Sequence, residues 1–262
     1  MFVPTRRRLV PALATAFIAF AIPAHAGING FGNFTLSGTN PTVSGNTLQI
    51  TSNDRYFAAN SAFNNDQQAI SAFNAHFTYQ LGPLGSNATD GFSPADGFAF
   101  VLQNSTDGVS AVGNSGGAHG ADLDHSAALD FNIFAPRHVG TTAYSNGNSS
   151  GVFDSTGDVN LASGDVIDVS LSYQHDLLTA VLTDTATNQI FTTNYAIDIA
   201  SSVGGPNAYV GFTGGTGGGS SDQFIRDFSF TPQAVPEAST VVTFALLGIG
   251  GLIVFRRRSV RS

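Results

Sequence analysis

The chain has 262 residues, no cysteine, and 18 acidic against 10 basic residues, every one of the ten an arginine. Without a thiol it can form no disulfide, no cysteine nucleophile and no thiolate metal site. Seven arginines lie in the two ends, so residues 27–234 carry 17 Asp against 3 Arg, a formal net charge of −14. Such a surface repels phosphate backbones and argues against nucleic acid as a partner.

In chain order, Arg6-Arg7-Arg8 precedes an apolar run from Leu9 to Ile22, and Ala24-His25-Ala26 follows with small residues at alternate positions. A charged start, a short apolar core and a small-x-small exit are the parts of a secretory signal, here residues 1–26, removed by signal peptidase after Ala26. The next 208 residues (27–234) suit one domain and are long enough to bury a core without covalent staples. Helical periodicity is nearly absent there, and residues 65–73 are the one short helix candidate. Strand patterns recur at 34–38, 47–51, 73–80, 97–103, 127–134, 139–144, 166–173, 177–183, 189–194, 208–213 and 224–231. In residues 97–103, Phe98, Phe100 and Leu102 alternate with other residues, as in a strand with one buried face. Residues 166–173 alternate likewise, and Gln174-His175-Asp176 turns the chain into 177–183 as a hairpin. Many short antiparallel strands with polar turns define an all-β sandwich or jelly roll. With 22 Phe and no Trp, its core is expected to be phenylalanine-rich.

The far end, residues 235–262, has three parts: Val235-Pro236-Glu237-Ala238-Ser239, an apolar run from Val241 to Phe255, and Arg256-Arg257-Arg258. As a helix the run reaches only about 22 Å, short of a ~30 Å hydrocarbon core unless flanking residues are drawn in and the arginines snorkel. This tail resembles the PEP-CTERM sorting signal of Gram-negative bacteria, with Ala238 where that family has a second proline. The resemblance implies transient anchoring in the inner membrane by a transmembrane sorting helix, handling by an exosortase, and delivery to the cell surface or extracellular polymer.

Within the domain, five motifs occur in order: Asp54-Arg55-Tyr56-Phe57, Ala75-His76-Phe77-Thr78-Tyr79, residues 95–102 around Ala95-Asp96-Gly97, Ala128-Leu129-Asp130-Phe131-Asn132, and residues 210–217 followed by Phe228-Ser229-Phe230. Together they resemble the legume-type (L-type) lectins, whose fold is the concanavalin-A-like antiparallel β-sandwich. The resemblance implies a carbohydrate site in which Asp96 accepts hydrogen bonds from sugar hydroxyls and the Ala95–Asp96 peptide is cis. A backbone N–H of Gly116 or Gly117 donates, Phe134 stacks on the sugar, and the loop 215–221, with Gly217, shapes specificity. It also implies metal ligands at Asp130, Asn132 and His138, the positions that in the family help hold calcium and a transition metal, so that calcium is a possible cofactor. The set falls short of the six to eight oxygens calcium takes, because Pro136 stands where the family has asparagine and Arg137 where cations bind. Metal binding is therefore expected to be weakened or lost.

Enzyme chemistry finds little support. The only glutamate, Glu237, lies in the tail, so the domain lacks the glutamate pair of related glycoside hydrolases. The Gly-x-Ser-x-Gly patterns at residues 113–117 and 147–151 lie in Gly/Ser/Asn-rich stretches and open no helical pattern, so neither reads as a nucleophile elbow, and Asp122 and Asp124 sit in a polar turn. The leading expectation is an exported carbohydrate-binding protein whose partners are glycans or exopolysaccharide. The alternative is a non-binding structural component of the extracellular matrix; a glycoside hydrolase or lyase ranks behind both.

Overall fold

A computed structural model describes residues 27–82 and 94–233. The export signal and the sorting tail lie outside the described residues. Among the described residues no helix is long and apolar enough to cross a membrane.

The first half of the chain forms β1 (Ile28–Asn29), β2 (Phe34–Gly38), β3 (Thr42–Ser44), β4 (Thr47–Thr51), β5 (Ala59–Asn64), β6 (Gln68–Ala69), β7 (Phe73–Leu81), β8 (Gly97–Gln103) and β9 (Ser126–Asn132). The second half adds β10 (Gly140–Ser145), β11 (Asp154–Ser155), β12 (Val166–Gln174), β13 (Leu177–Asp184), β14 (Ile190–Ala196), α1 (Ile199–Val203), β15 (Asn207–Gly215) and β16 (Gln223–Pro232). Every strand pairing is antiparallel. One sheet runs β14-β13-β12-β7-β16-β4-β3 with β1 on β16, and the other β11-β10-β9-β8-β15-β5-β2 with β6 on β15.

The all-β sandwich expected from the sequence is the architecture found. Phenylalanines from both sheets fill the space between them. Phe77 of β7 meets Phe212 of β15 edge-on at 5.0 Å, and Phe98 and Phe131, cross-strand partners on β8 and β9, stack at 4.6 Å. Such offset and edge-to-face rings bury large area and add specific geometry. The alternation read in β12, and the same alternation found in β7, places their inward residues against this core.

Strands β8 and β9 are buried along both faces. Their inner faces join the phenylalanine core. Their outer faces carry Ala99, Val101 and Ala128, which pack with Phe63, Ala111, Ala121, Leu123 and Tyr144 in a second, smaller apolar cluster. Residues 104–125, between β8 and β9, supply part of that cover, and the cover positions the candidate site.

Two local readings are corrected. Residues 65–73 form no helix; they hold a bend, the short β6 and the start of β7, in keeping with the weak helical preference of Asn and Asp. The strand read at 127–134 ends at Asn132, and Ala135–Arg137 forms a 3₁₀ turn. In the β12–β13 hairpin, Gln174 pairs with Leu177 and the two turn residues, His175 and Asp176, have φ of 51° and 58°. A two-residue turn with both φ positive is type I′, which favours Asn at its first position. Exposed His175 is therefore replaceable: His175→Asn is expected to raise stability by about 0.5–1 kcal/mol, part of the cost of a left-handed residue, read by urea denaturation.

Candidate functional site

Asp96 stands one residue before β8, and the Ala95–Asp96 peptide is cis. Its backbone is held on both sides: the amide donates to Gly215 O at 3.1 Å, and the carbonyl accepts from Ile133 N at 3.0 Å. Ser221 Oγ donates to Ala95 O at 3.0 Å. The carboxylate is thereby fixed between the ends of β8, β9 and β15. The Gly217 amide donates to it, while Oδ2 is buried with no hydrogen-bond partner. Burial pushes the Asp96 carboxyl above the usual carboxylate range, and the charges of His119 and Arg137 and the Gly217 N–H pull the other way.

Glycines surround this oxygen. A Cβ on Gly217 would lie 2.8 Å from Asp96 Oδ2, and one on Gly116 would lie 4.0 Å from it. Gly217 also accepts at its carbonyl from Phe57 N, at 3.0 Å. A side chain at 217 would therefore compete with any ligand for the carboxylate. Gly217→Ala is expected to weaken binding at this carboxylate several-fold, measured by calorimetric titration with a bound glycan.

The glycine loop is built by its own hydrogen bonds. Gly113 N donates to Gly120 O and Gly120 N to Asn114 O, each at 2.9 Å. The Asp122 carboxylate accepts from Asn114 N at 2.6 Å and from the Asn114 side-chain amide. Asp122 thus braces the loop from inside. A 3₁₀ turn over Gly116–Ala118 follows, capped by His119 in the left-handed conformation. Of the two proposed donors, Gly116 N–H is spent on Thr216 O at 2.9 Å. That removes Gly116 as a sugar donor. Gly117 N–H has no such bond among the described residues.

His119 is the residue whose place the sequence does not announce. It is fully buried; its Nδ1–H donates to Asp130 Oδ1 at 2.5 Å, and Tyr144 OH donates to Asp130 Oδ2 at 3.5 Å. The ring lies over Gly97, where a Cβ would stand 2.9 Å from Nε2. On the neighbouring strand, Asn132 Nδ2 donates to Phe134 O at 3.0 Å and to His138 O at 2.8 Å, clipping both ends of the 134–138 turn. Phe134 is half-buried at the start of that turn. Arg137 projects back from it, so that a Cβ on Gly117 would collide with Arg137 Nη1.

This geometry tests the expected metal ligands. Asp130 has both oxygens engaged by side chains, Asn132 uses its amide nitrogen to hold the turn, and the His138 side chain is exposed. The buried atoms without partners near Gly97 are Asp96 Oδ2, His119 Nε2, Asn132 Oδ1 and Gln223 Oε1, three oxygens and a nitrogen. Calcium needs about six to eight oxygens, and no group of three or more His, Asp or Glu suited to a metal occurs among the described residues. Asp130, Asn132 and His138 do not form the cation site that the resemblance implies. Pro136 and Arg137, in a turn too short to carry another carboxylate, are the reason.

The legume lectin domain model matches residues 24–243, and the chain belongs to that family. Similar solved structures include lectin I-B4 from Griffonia simplicifolia in a metal-free form, at 19% identity and TM-score 0.66, covering 80% of this chain and 100% of that one. A lectin from Bauhinia forficata in complex with GalNAc matches at 21% identity and TM-score 0.64, covering 79% and 97%. Arcelin-5, a lectin-like defense protein from Phaseolus vulgaris, matches at 21% identity and TM-score 0.59, covering 80% and 99%. No curated protein matches the chain significantly. The family is one of carbohydrate-binding proteins without catalytic activity.

Proposed function

We propose that the protein is an exported lectin that binds glycan at the rim formed by Asp96, Gly117, Gly217 and Phe134. The observation that carries this reading is the Asp96 Oδ2 atom: a buried carboxylate oxygen left without a donor, faced by glycines. An unsatisfied buried acceptor is costly, and a sugar hydroxyl is a neutral donor of the right size to satisfy it. Gly117 N–H supplies a complementary donor, and Phe134 an apolar flank for the sugar's C–H face. The structural relatives include proteins solved with GalNAc and with galactose, and galactose-type sugars are the first probes to use. The site works without a resident metal. The N-terminal signal and the sorting tail give the route: export, brief anchoring in the inner membrane of a Gram-negative cell, exosortase handling, and display at the surface or in extracellular polysaccharide.

A second reading has its own observation. Asp96 is only 7% exposed, and Oδ2 is screened from solvent. A ligand reaches it only after the glycine loops beside it, at Gly116 and Gly217, give way. If that movement does not occur, the domain is a matrix scaffold. A glycan array with the full-length chain separates the two: sugar binding lost in Asp96→Asn supports the lectin, and silence across the array supports the scaffold.

A further inference from the structure

We propose that the glycan recognised at the Asp96 rim is acidic, its carboxylate received by Arg137. This rests on the lectin reading and names the ligand class for the same site. The domain has three cationic arginines, and two are in use: Arg55 lies 3.9 Å from Asp54, and Arg226 donates to Gln80 Oε1 at 2.9 Å while covering the Phe224 ring at 5.0 Å. The Arg137 guanidinium has no hydrogen bond or ion pair among the described residues; its charge reaches Asp96 only through space. The backbone that carries it is nevertheless held in place. Its 3₁₀ turn contains Pro136 and is clipped at both ends by Asn132, and Arg137 Nη1 lies against Gly117, on the loop that faces Asp96.

In a domain of net charge −14 this guanidinium pairs with no carboxylate among the described residues, and it is presented beside the Gly117 N–H at the rim. The guanidinium fork matches a carboxylate bidentately. Asp96 and Arg137 then divide the work: the carboxylate accepts sugar hydroxyls and the guanidinium takes the acid group of a uronic acid or similar unit. A neutral sugar leaves Arg137 with nothing to bind. The negative surface opposes the approach of a polyanion at long range, so selectivity depends on this single contact and not on a basic field.

The test uses the full-length chain in mild detergent with alginate, polygalacturonate and hyaluronan, each immobilised beside its carboxyl-reduced neutral counterpart. The expected result is that at least one acidic polymer binds about tenfold better than its reduced form, the loss expected of one charge-assisted hydrogen bond. Arg137→Gln is expected to bring that ratio close to one. Equal binding of acidic and reduced forms, or a preference unchanged in Arg137→Gln, overturns the proposal while leaving the lectin reading standing. Binding to neither form of any polymer, nor to any neutral sugar on an array, overturns both.

Discussion

Asp96→Asn is expected to bind glycan at least tenfold more weakly and yet to melt at a higher temperature than the native chain. The two effects share one cause. Hydrogen bonds to a charged acceptor contribute about 1.5–3 kcal/mol, and the amide replaces one of the two acceptor oxygens with a donor. Burial holds the Asp96 carboxyl above its ordinary range, so the fold is less tolerant of the ionised group than the unfolded chain is. For a carboxyl shifted upward, the folded state carries no penalty below the unfolded pKa, and stability is lost as pH rises through the folded pKa. The stability difference between the Asp96→Asn variant and the native chain therefore vanishes below the ordinary carboxylate range and is largest at neutral pH. Melting curves of both chains from about pH 3.5 to about pH 7.5, a window that brackets the unfolded carboxyl, measure it. A difference that grows toward acid, or a variant that melts lower throughout, contradicts the idea that this residue trades stability for binding.

The second large effect concerns His119. His119→Ala is expected to cost about 3–5 kcal/mol, because it leaves the fully buried Asp130 without its partner at 2.5 Å. For a domain of this size that lowers Tm by roughly 10 °C. Removing both partners, in His119→Leu with Asp130→Leu, is expected to recover part of the loss, since a buried pair replaced by apolar groups leaves no orphan. Metals provide the contrasting measurement. A cation held at about a hundred times its Kd would add about 2.7 kcal/mol, so EDTA and millimolar CaCl2 or MnCl2 should leave the native Tm unchanged. Calcium that rescues His119→Ala would make Asp130 a metal ligand after all.

The phenylalanine core and most strands can be read from the sequence, because β7, β12 and β13 announce themselves by alternation, whereas β8, read as a strand with one buried face, is covered on both. Strand β5 does not. Its Asn60 and Ser61 are buried, Asn60 serving Ile50 O at 2.7 Å and Thr39 N at 2.7 Å, so no apolar period remains to detect. The same limit governs the site. Asp96, Gly217 and Phe134 are visible through their resemblance to a motif, but the role of a residue such as His119 depends on a partner eleven positions away on another element. Asp122 appears in sequence as a solvated turn acid, whereas in the structure it braces the glycine loop through Asn114. The engagement of Gly116 N–H by Thr216 depends on how two distant loops meet, which residue spacing does not encode.

The Asn132 clamp separates recognition from foldedness. One amide on a rigid strand fastens the whole 134–138 segment by its two ends, so the content of that segment is insulated from the sandwich beneath it. Substitutions at 135–137 are then expected to reshape the surface beside Asp96 while leaving the core, and its melting temperature, almost untouched.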